Sequence, residues 1–329
     1  MNIEYKIILV TGCAGFIGSR ISEMLLEHGI TIIGVDNLNS YYPVKLKEYR
    51  LAKLQRFSDF SFHLLDVTKF NSLDELFQRS KIDAVMNLAA RAGVRASVED
   101  PWSYVETNVT GTLNLLELCR RYGVKKFTLA STSSIYGKNN TPFVEDDRAD
   151  YQLSPYAASK KGAESLAYSY HHLYGIDVTI SRYFTVYGSA GRPDMVPYKF
   201  IQRIAEGIPI TVYGDGTQER DFTYIDDIAL GSIAGLKPLG FEIINLGSDR
   251  PVKLNYVIKL MEEYLGKKAV INYQPRQSAD MLVTWADITK AKKILNWQPK
   301  FTIEEGIRNS VNWYLDNRDW AKDVRFKES

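Results

Sequence analysis

The stretch Lys6-Ile7-Ile8-Leu9-Val10-Thr11-Gly12-Cys13-Ala14-Gly15-Phe16-Ile17-Gly18 decides the fold class. Lys6–Val10 is a continuous β-type run that ends at Thr11-Gly12. The residues that follow put Ile17, Ile21, Met24 and Leu25 on one helical face, closed by Gly29. A strand that turns through glycines into a helix offers free N–H groups and a partial positive charge at the turn. Glycines there also permit a tight turn and the close approach of a pyrophosphate. Glycines punctuate ordinary turns too, so the strand before and the helix after give this loop its weight.

Outward from this unit the same alternation repeats. Thr31–Val35 reads as a strand ending at Asp36, Phe60–Leu65 as one ending at Asp66, and Ala84–Leu88, Lys126–Ala130 and Val178–Arg182 as three more. Trp102–Tyr122 and Tyr156–Tyr174 read as single long helices. Strands apolar throughout, separated by helices, predict an α/β fold: a doubly wound parallel Rossmann-type sheet covered on both faces. Ligands of such sheets lie at the carboxyl ends of the strands. Beyond Tyr183 the pattern changes to helices near Pro197–Glu206, Ile225–Leu236, Leu254–Leu265 and Ile303–Leu315, mixed with short strands such as Ile210–Tyr213. We expect a dinucleotide-binding domain over 1–182 and a smaller, mixed α/β substrate lobe over 183–329, with a soft boundary that the chain can recross. Asp36 at the end of the second strand can accept hydrogen bonds from both ribose hydroxyls and would repel a 2′-phosphate, which favours NAD over NADP.

Composition removes several classes of function. Lys plus Arg number 41 and Asp plus Glu 39, a net charge of +2 that gives no argument for nucleic acid as a bulk partner. No stretch approaches the roughly 20 apolar residues of a membrane span. Ile7–Val10 is too short for a signal-peptide core. Cys13 and Cys119 form neither metal-ligand spacing nor a disulfide framework, so we expect a cytoplasmic protein without a metal.

The chemistry-bearing motif is Tyr156-Ala157-Ala158-Ser159-Lys160. Positions four apart share a helix face, so phenol and ammonium can face one cavity. A free tyrosine, with a pKa near 10, is a poor base at neutral pH. A nearby cation stabilises the phenolate and makes it usable. A Tyr–Lys pair of this kind arises easily by chance. Here it follows a dinucleotide-type loop and a strand ending in Ser131-Thr132-Ser133-Ser134.

The spacing of Gly12, Gly15 and Gly18 resembles that of the extended short-chain dehydrogenases/reductases, the NAD-dependent epimerase/dehydratase family. The resemblance implies cofactor contacts from Phe16, Ile17, Asn37, Tyr156, Lys160 and Tyr183. It implies an adenine contact at Asp66-Val67, a nicotinamide-side strand end at Leu88-Ala89-Ala90, and a further contact at Asn108. Ser131–Gly137 resembles the family's serine-rich segment, which makes Thr132 the hydroxyl that completes a triad with Tyr156 and Lys160.

Residues 5 to 317 resemble the UDP-sugar 4-epimerases, and most of all the branch acting on UDP-glucuronate. That likeness rests on Asp36–Asn39 with Tyr41-Tyr42, Leu46-Lys47-Glu48, Ala92–Arg95, Arg182–Gly188 and Gly191–Met195. It implies a UDP-sugar substrate oxidised at C4, turned over and reduced again. It also implies substrate contacts from Arg95 and Arg192, diphosphate contacts from Arg220 and Arg276, and a nucleotide contact from Asp280. Related dehydratases carry an acid pair after the catalytic threonine, and related decarboxylases a glutamate where Ser134 stands. Their absence favours epimerisation. Thr185 stands where UDP-glucose epimerases usually have asparagine. With Thr132, Ser133 and Ser134 it makes a set of hydroxyls able to hold a carboxylate. The family also implies a homodimer that packs the 102–122 and 156–174 helices. Two other readings stay open: a 4-epimerase of neutral UDP-hexoses, and a non-catalytic nucleotide-binding protein on the same fold. Against the second, Thr132, Tyr156 and Lys160 are all present.

Other conspicuous residues get plain roles. His171-His172 reads as a partly exposed pair and Glu145-Asp146-Asp147 as a solvated loop. Asp226-Asp227 reads as a helix cap. Trp285, Trp297 and Trp313 read as core of the second lobe, Cys13 as a small residue in a tight loop, and Arg318–Ser329 as a fraying tail.

Overall fold

A computed structural model describes residues 3–276 and 281–326. Its first half runs β1 (Ile7–Thr11), α1 (Phe16–Glu27), β2 (Thr31–Asp36), α2 (Val44–Leu54), β3 (Phe60–Leu64), α3 (Phe70–Arg79), β4 (Ala84–Asn87), α4 (Val94–Glu99), α5 (Pro101–Tyr104), α6 (Gly111–Tyr122), β5 (Lys126–Thr132), α7 (Pro155–Tyr174) and β6 (Asp177–Tyr183). Then come β7 (Thr185–Tyr187), α8 (Val196–Ala205), β8 (Ile210–Tyr213), β9 (Glu219–Tyr224), α9 (Ile225–Ala234), β10 (Phe241–Leu246), β11 (Pro251–Lys253), α10 (Leu254–Leu265), β12 (Ile271–Gln274), α11 (Thr289–Leu295), α12 (Ile303–Asp316) and α13 (Arg318–Ala321).

Seven strands form one parallel sheet in the order β10-β6-β5-β4-β1-β2-β3. Side chains alternate along each strand, so the apolar runs feed two cores. Ile8, Val10, Ile32 and Met86 face α1 and α9, while Leu9, Val35 and Val85 face α3, α6 and α7. The predicted doubly wound Rossmann-type class is the observed one. Two elements from beyond residue 183 join the first unit: α9 packs on the sheet beside α1, and β10 pairs with β6. The remaining elements build a smaller region with a three-stranded sheet, β11-β9-β7, and a two-stranded one, β12-β8.

The structure refines or corrects several expectations. The helix expected over Trp102–Tyr122 is one unbroken helical run, α5 passing through a π-helical turn over Val105–Thr110 into α6. The wide turn aims Asn108 at the chain after β4, and its amide bonds both the N–H and the carbonyl of Arg91 and the Ser159 hydroxyl. Glu145 is not solvated. It is buried and accepts the Asn245 N–H at 2.8 Å, and burial raises its pKa. Asp226 and Asp227 do not cap α9. Asp226 takes the Arg20 guanidinium, and Asp227 accepts the backbone N–H groups of Lys300 and Phe301, both at 3.0 Å. The tail does not fray through residue 326: Ala321 and Val324 are fully buried, and the Gln202 amide donates to the carbonyls of Ala321, Lys322 and Val324. Of the three tryptophans Trp297 is buried in the core, while Trp285 and Trp313 are half-buried.

Candidate active site

Between β1 and β4 the winding of the sheet reverses, and a crevice opens beyond the strand ends. Its floor is set by polar pairing of the two strand ends. Thr11 Oγ1 donates to Asn87 at 2.7 Å and accepts the Ala89 N–H at 3.2 Å, while the Asn87 amide reaches Thr112. Gly12 must be glycine. It has φ +69°, and a Cβ there would sit 2.8 Å from the Ala89 nitrogen and 2.9 Å from the Leu88 carbonyl. A Cβ on Gly15 or Gly18 would run into the Gly12 carbonyl. The glycines thus fold the loop onto itself and onto the 88–89 segment, leaving the N-terminus of α1 open to a ligand. That cradle, with Asp36 at the end of β2, fits a dinucleotide.

One continuous cleft is lined by Gly12, Gly15, Phe16, Ile17, Gly18, Asp36, Asn37, Val67, Leu88, Ala89 and Ala90 at one end. Toward the other stand Thr132, Ser133, Ser134, Tyr156, Lys160, Tyr183, Thr185 and Arg192. Asp66, between the lining residues Leu65 and Val67, does not itself line the cleft. It accepts the Asn37 amide at 2.7 Å and the Thr68 N–H at 2.9 Å, and these bonds outweigh its partial burial and lower its pKa. Asn108 does not line it either and acts through Arg91 and Ser159. Arg95 is exposed and stacks on Tyr213, 4.5 Å from the ring centre. Arg220 donates to the carbonyls of Glu219 and Leu282, Arg276 is exposed at the end of β12, and Asp280 lies outside the described residues.

The Tyr156–Lys160 pair sits on the first turns of α7, which starts at Pro155 behind a Ser154 cap that accepts the Ala157 N–H. Thr132 ends β5 opposite, where its hydroxyl accepts the Ser134 N–H at 3.2 Å and so points Ser133 and Ser134 at the same space. Burial raises the Tyr156 phenol, while its hydrogen bond with Thr132 and the charge of Arg192 pull it down. Lys160 Nζ donates to the Ala130 carbonyl at 2.7 Å; burial lowers it to about 8, against the upward pull of Glu164. Arg192 is bound up with Asp194 through two bonds and donates to the Ala92 carbonyl at 3.1 Å. This arrangement can hold a polar ligand against the Tyr156 phenol, and Asp194, a carboxylate that raises that phenol, is paired with Arg192.

Several cleft-lining residues are not singled out by the sequence as site residues. Lys47 reaches 3.7 Å from Asp36; burial lowers its pKa against the pull of that carboxylate. Arg91 lies over Tyr41, 5.6 Å from the ring centre, and Tyr41 also lines the cleft. Lys47 and Tyr41 fall inside motifs quoted above, but nothing in their spacing says that α2 and its approach fold over Asp36.

The chain belongs to the NAD dependent epimerase/dehydratase family, whose model matches residues 8–247. Among its relatives is the UDP-glucuronate 4-epimerase of Thermodesulfobacterium geofontis, 57% identical over 318 residues that span 96% of this chain and 98% of that protein. The UDP-glucuronic acid 4-epimerase of Bacillus cereus, solved in complex with UDP-glucuronic acid and NAD, superposes with a TM-score of 0.88. The two are 37% identical, over 94% of this chain and 99% of that one. The UDP-glucose 4-epimerase of Thermotoga maritima, solved with UDP-glucose, gives a TM-score of 0.86 at 32% identity, over 95% of this chain and 99% of that one. No described helix is long and apolar enough to cross a membrane.

Proposed function

We propose that this chain is an NAD-dependent nucleotide-sugar 4-epimerase that interconverts UDP-glucuronate and UDP-galacturonate. The observation that carries the reading is the cluster of Thr132, Ser133, Ser134 and Thr185 hydroxyls in one cleft with Tyr156 and Lys160. Its company is that of relatives named for the same reaction.

NAD, held by the Gly12–Gly18 loop and Asp36, would supply a reversible hydride acceptor for C4. The chain's own residues handle the proton and the geometry. Thr132 fixes the C4 hydroxyl and relays its proton to Tyr156, and the Lys160 ammonium, anchored on Ala130, stands one helical turn from the phenol on the same helix face, where a cation favours the phenolate. The 4-keto sugar made from glucuronate is a β-keto acid. It loses CO₂ when its carboxylate bond aligns with the ketone π-system. Neutral hydroxyls hold the carboxylate out of that alignment without supplying an acid to the leaving carbon. Arg220 and Arg276 suit the diphosphate, since a guanidinium fork binds phosphate oxygens in pairs. The UDP then stays anchored while the sugar turns over.

The protein acts as a cytoplasmic homodimer. Supporting the dimer, Val98, Trp102, Val105 and Leu113 on the α4–α6 side and Tyr168, Leu173 and Tyr174 on α7 are exposed, Trp102 by 82%. Supporting the compartment, both cysteines are buried free thiols.

The test is an NMR time course with NAD and UDP-glucuronate, run beside UDP-glucose and UDP-N-acetylglucosamine. UDP-galacturonate with little UDP-pentose and no net NADH is the expected result. Epimerisation of a neutral sugar alone would sink the carboxylate role of the hydroxyl cluster.

A further inference from the structure

Arg50, on α2, is 3% exposed, and among the described residues its hydrogen-bond partners are backbone carbonyls and one phenol, with no carboxylate. Nη1 reaches the Ala14 carbonyl at 3.2 Å and the Tyr42 hydroxyl at 2.8 Å. Nε and Nη2 reach the Ala190 carbonyl at 3.1 and 2.7 Å, and Nη2 also takes the Gly191 carbonyl at 3.1 Å. Burying a cation this way is costly unless its donors are all satisfied, so the contacts must be held together to be held at all.

The carbonyls belong to two loops far apart in the chain, each running into residues that line the cleft. Ala14 lies in the cofactor loop, between Gly12 and Gly15. Ala190 and Gly191 lead directly into Arg192, which pairs with Asp194 and donates to the Ala92 carbonyl on the segment following β4. Ala190 stands at φ +54°, a left-handed conformation that a residue with a Cβ adopts at a cost. Its carbonyl receives two of the five Arg50 bonds.

We propose that Arg50 is a positioning residue that couples the cofactor loop to the 190–192 turn, so that cofactor binding sets the placement of Arg192 at the sugar end of the cleft. Arg50 does not itself line the cleft. It works because a rigid planar fork engages both loops at once; a lysine ammonium keeps the charge but cannot span both carbonyl sets. The effect on the sugar rests on the epimerase reading above, whereas the coupling between the two loops does not.

Hydrogen exchange with mass spectrometry tests the coupling directly, on wild type and Arg50→Lys, with and without NAD. In wild type, NAD slows exchange at 12–18 and at 188–192. In Arg50→Lys the protection at 12–18 remains and that at 188–192 falls by about threefold to thirtyfold, the range over which a linking residue changes communication between sites. Equal protection of 188–192 in both proteins overturns the proposal. So does protection of neither segment in wild type. The sugar-end consequence is read separately: Arg50→Lys given UDP-glucuronate yields a larger fraction of UDP-4-keto-pentose than wild type, and an unchanged fraction overturns that part. Wild type that protects 188–192 but makes no UDP-galacturonate would refute the epimerase reading and leave the coupling standing. Arg50→Met, which lacks the charge, should show the same loss more strongly if it folds.

Discussion

Glu164 and Arg182 form a buried two-point ion pair, with Nη2 to Oε2 at 2.9 Å and Nε to Oε1 at 3.1 Å, each side chain 2% exposed. The same carboxylate accepts the Ser131 hydroxyl at 2.6 Å, one residue before Thr132, and stands one helical turn beyond Lys160. Glu164 therefore ties the helix bearing Tyr156 and Lys160 to the strand bearing Thr132. Breaking such a pair leaves Arg182 charged in the core. Glu164→Gln is expected to lose about 3–5 kcal/mol of stability, read as a lowered urea midpoint. A midpoint equal to wild type would mean that the pair holds nothing up.

The same substitution has a signature in the pH profile. Lys160 sits at about 8, held down by burial and pulled up by Glu164. Its ammonium is present below that value and lost as pH rises through it, so kcat is expected to decline on the alkaline side. Removing the Glu164 charge takes away the upward pull and leaves Arg182 uncompensated on β6. Both changes move the alkaline limb to lower pH. Lys161, whose Nζ lies 3.8 Å from the Glu164 carboxylate, is the other cation facing it. A limb that stays in place in Glu164→Gln would separate it from Lys160.

Tyr156→Phe keeps the ring, which packs edge-on to Tyr104 with centroids 6.1 Å apart, and deletes only the phenolic oxygen. The expected loss in kcat is about 10²–10⁴-fold, the usual worth of a positioned acid–base group. Protein-bound NAD, measured by release on denaturation, should not change. Retained turnover would remove Tyr156 from the proton path.

Ser133→Ala and Thr185→Val each remove one hydroxyl from the sugar end. Each is expected to raise the ratio of UDP-4-keto-pentose to UDP-galacturonate, by about twofold to tenfold for one hydrogen bond. NMR of the product mixture reads the ratio. No extra ketopentose from either variant would leave the control of CO₂ loss to other groups.

Two glycines of similar φ separate strain from crowding. Gly12 (φ +69°) has the 88–89 backbone against its missing Cβ, whereas Gly29 (φ +74°) has open space. Gly29→Ala should cost only the left-handed conformation, about 1–2 kcal/mol by urea unfolding. Gly12→Ala should cost more and also shed NAD, because the loop must move away from Leu88 and Ala89. Equal costs at the two positions would mean that the loop has slack.

Much of this was legible in one dimension because it is local. Strand runs alternate between two faces, glycines fall where a loop must fold on itself, and Tyr156 and Lys160 share a helix face by spacing alone. Thr132 could be placed because it ends a strand in a recognisable segment. The tertiary structure decided what depends on contacts far apart in the chain. Residues 225–246 return to the first sheet, since α9 and β10 find their apolar partners only there. Glu145 is buried because Asn245, 100 residues on, offers its N–H. The π-helical turn that brings Asn108 to Arg91 and Ser159 carries no periodic signal in an otherwise helical stretch. Arg50 looks like any arginine on an amphipathic helix. What makes it the link between Ala14 and Ala190 is the meeting of two backbone carbonyls, and a carbonyl leaves no mark on the identity of the residue that bears it.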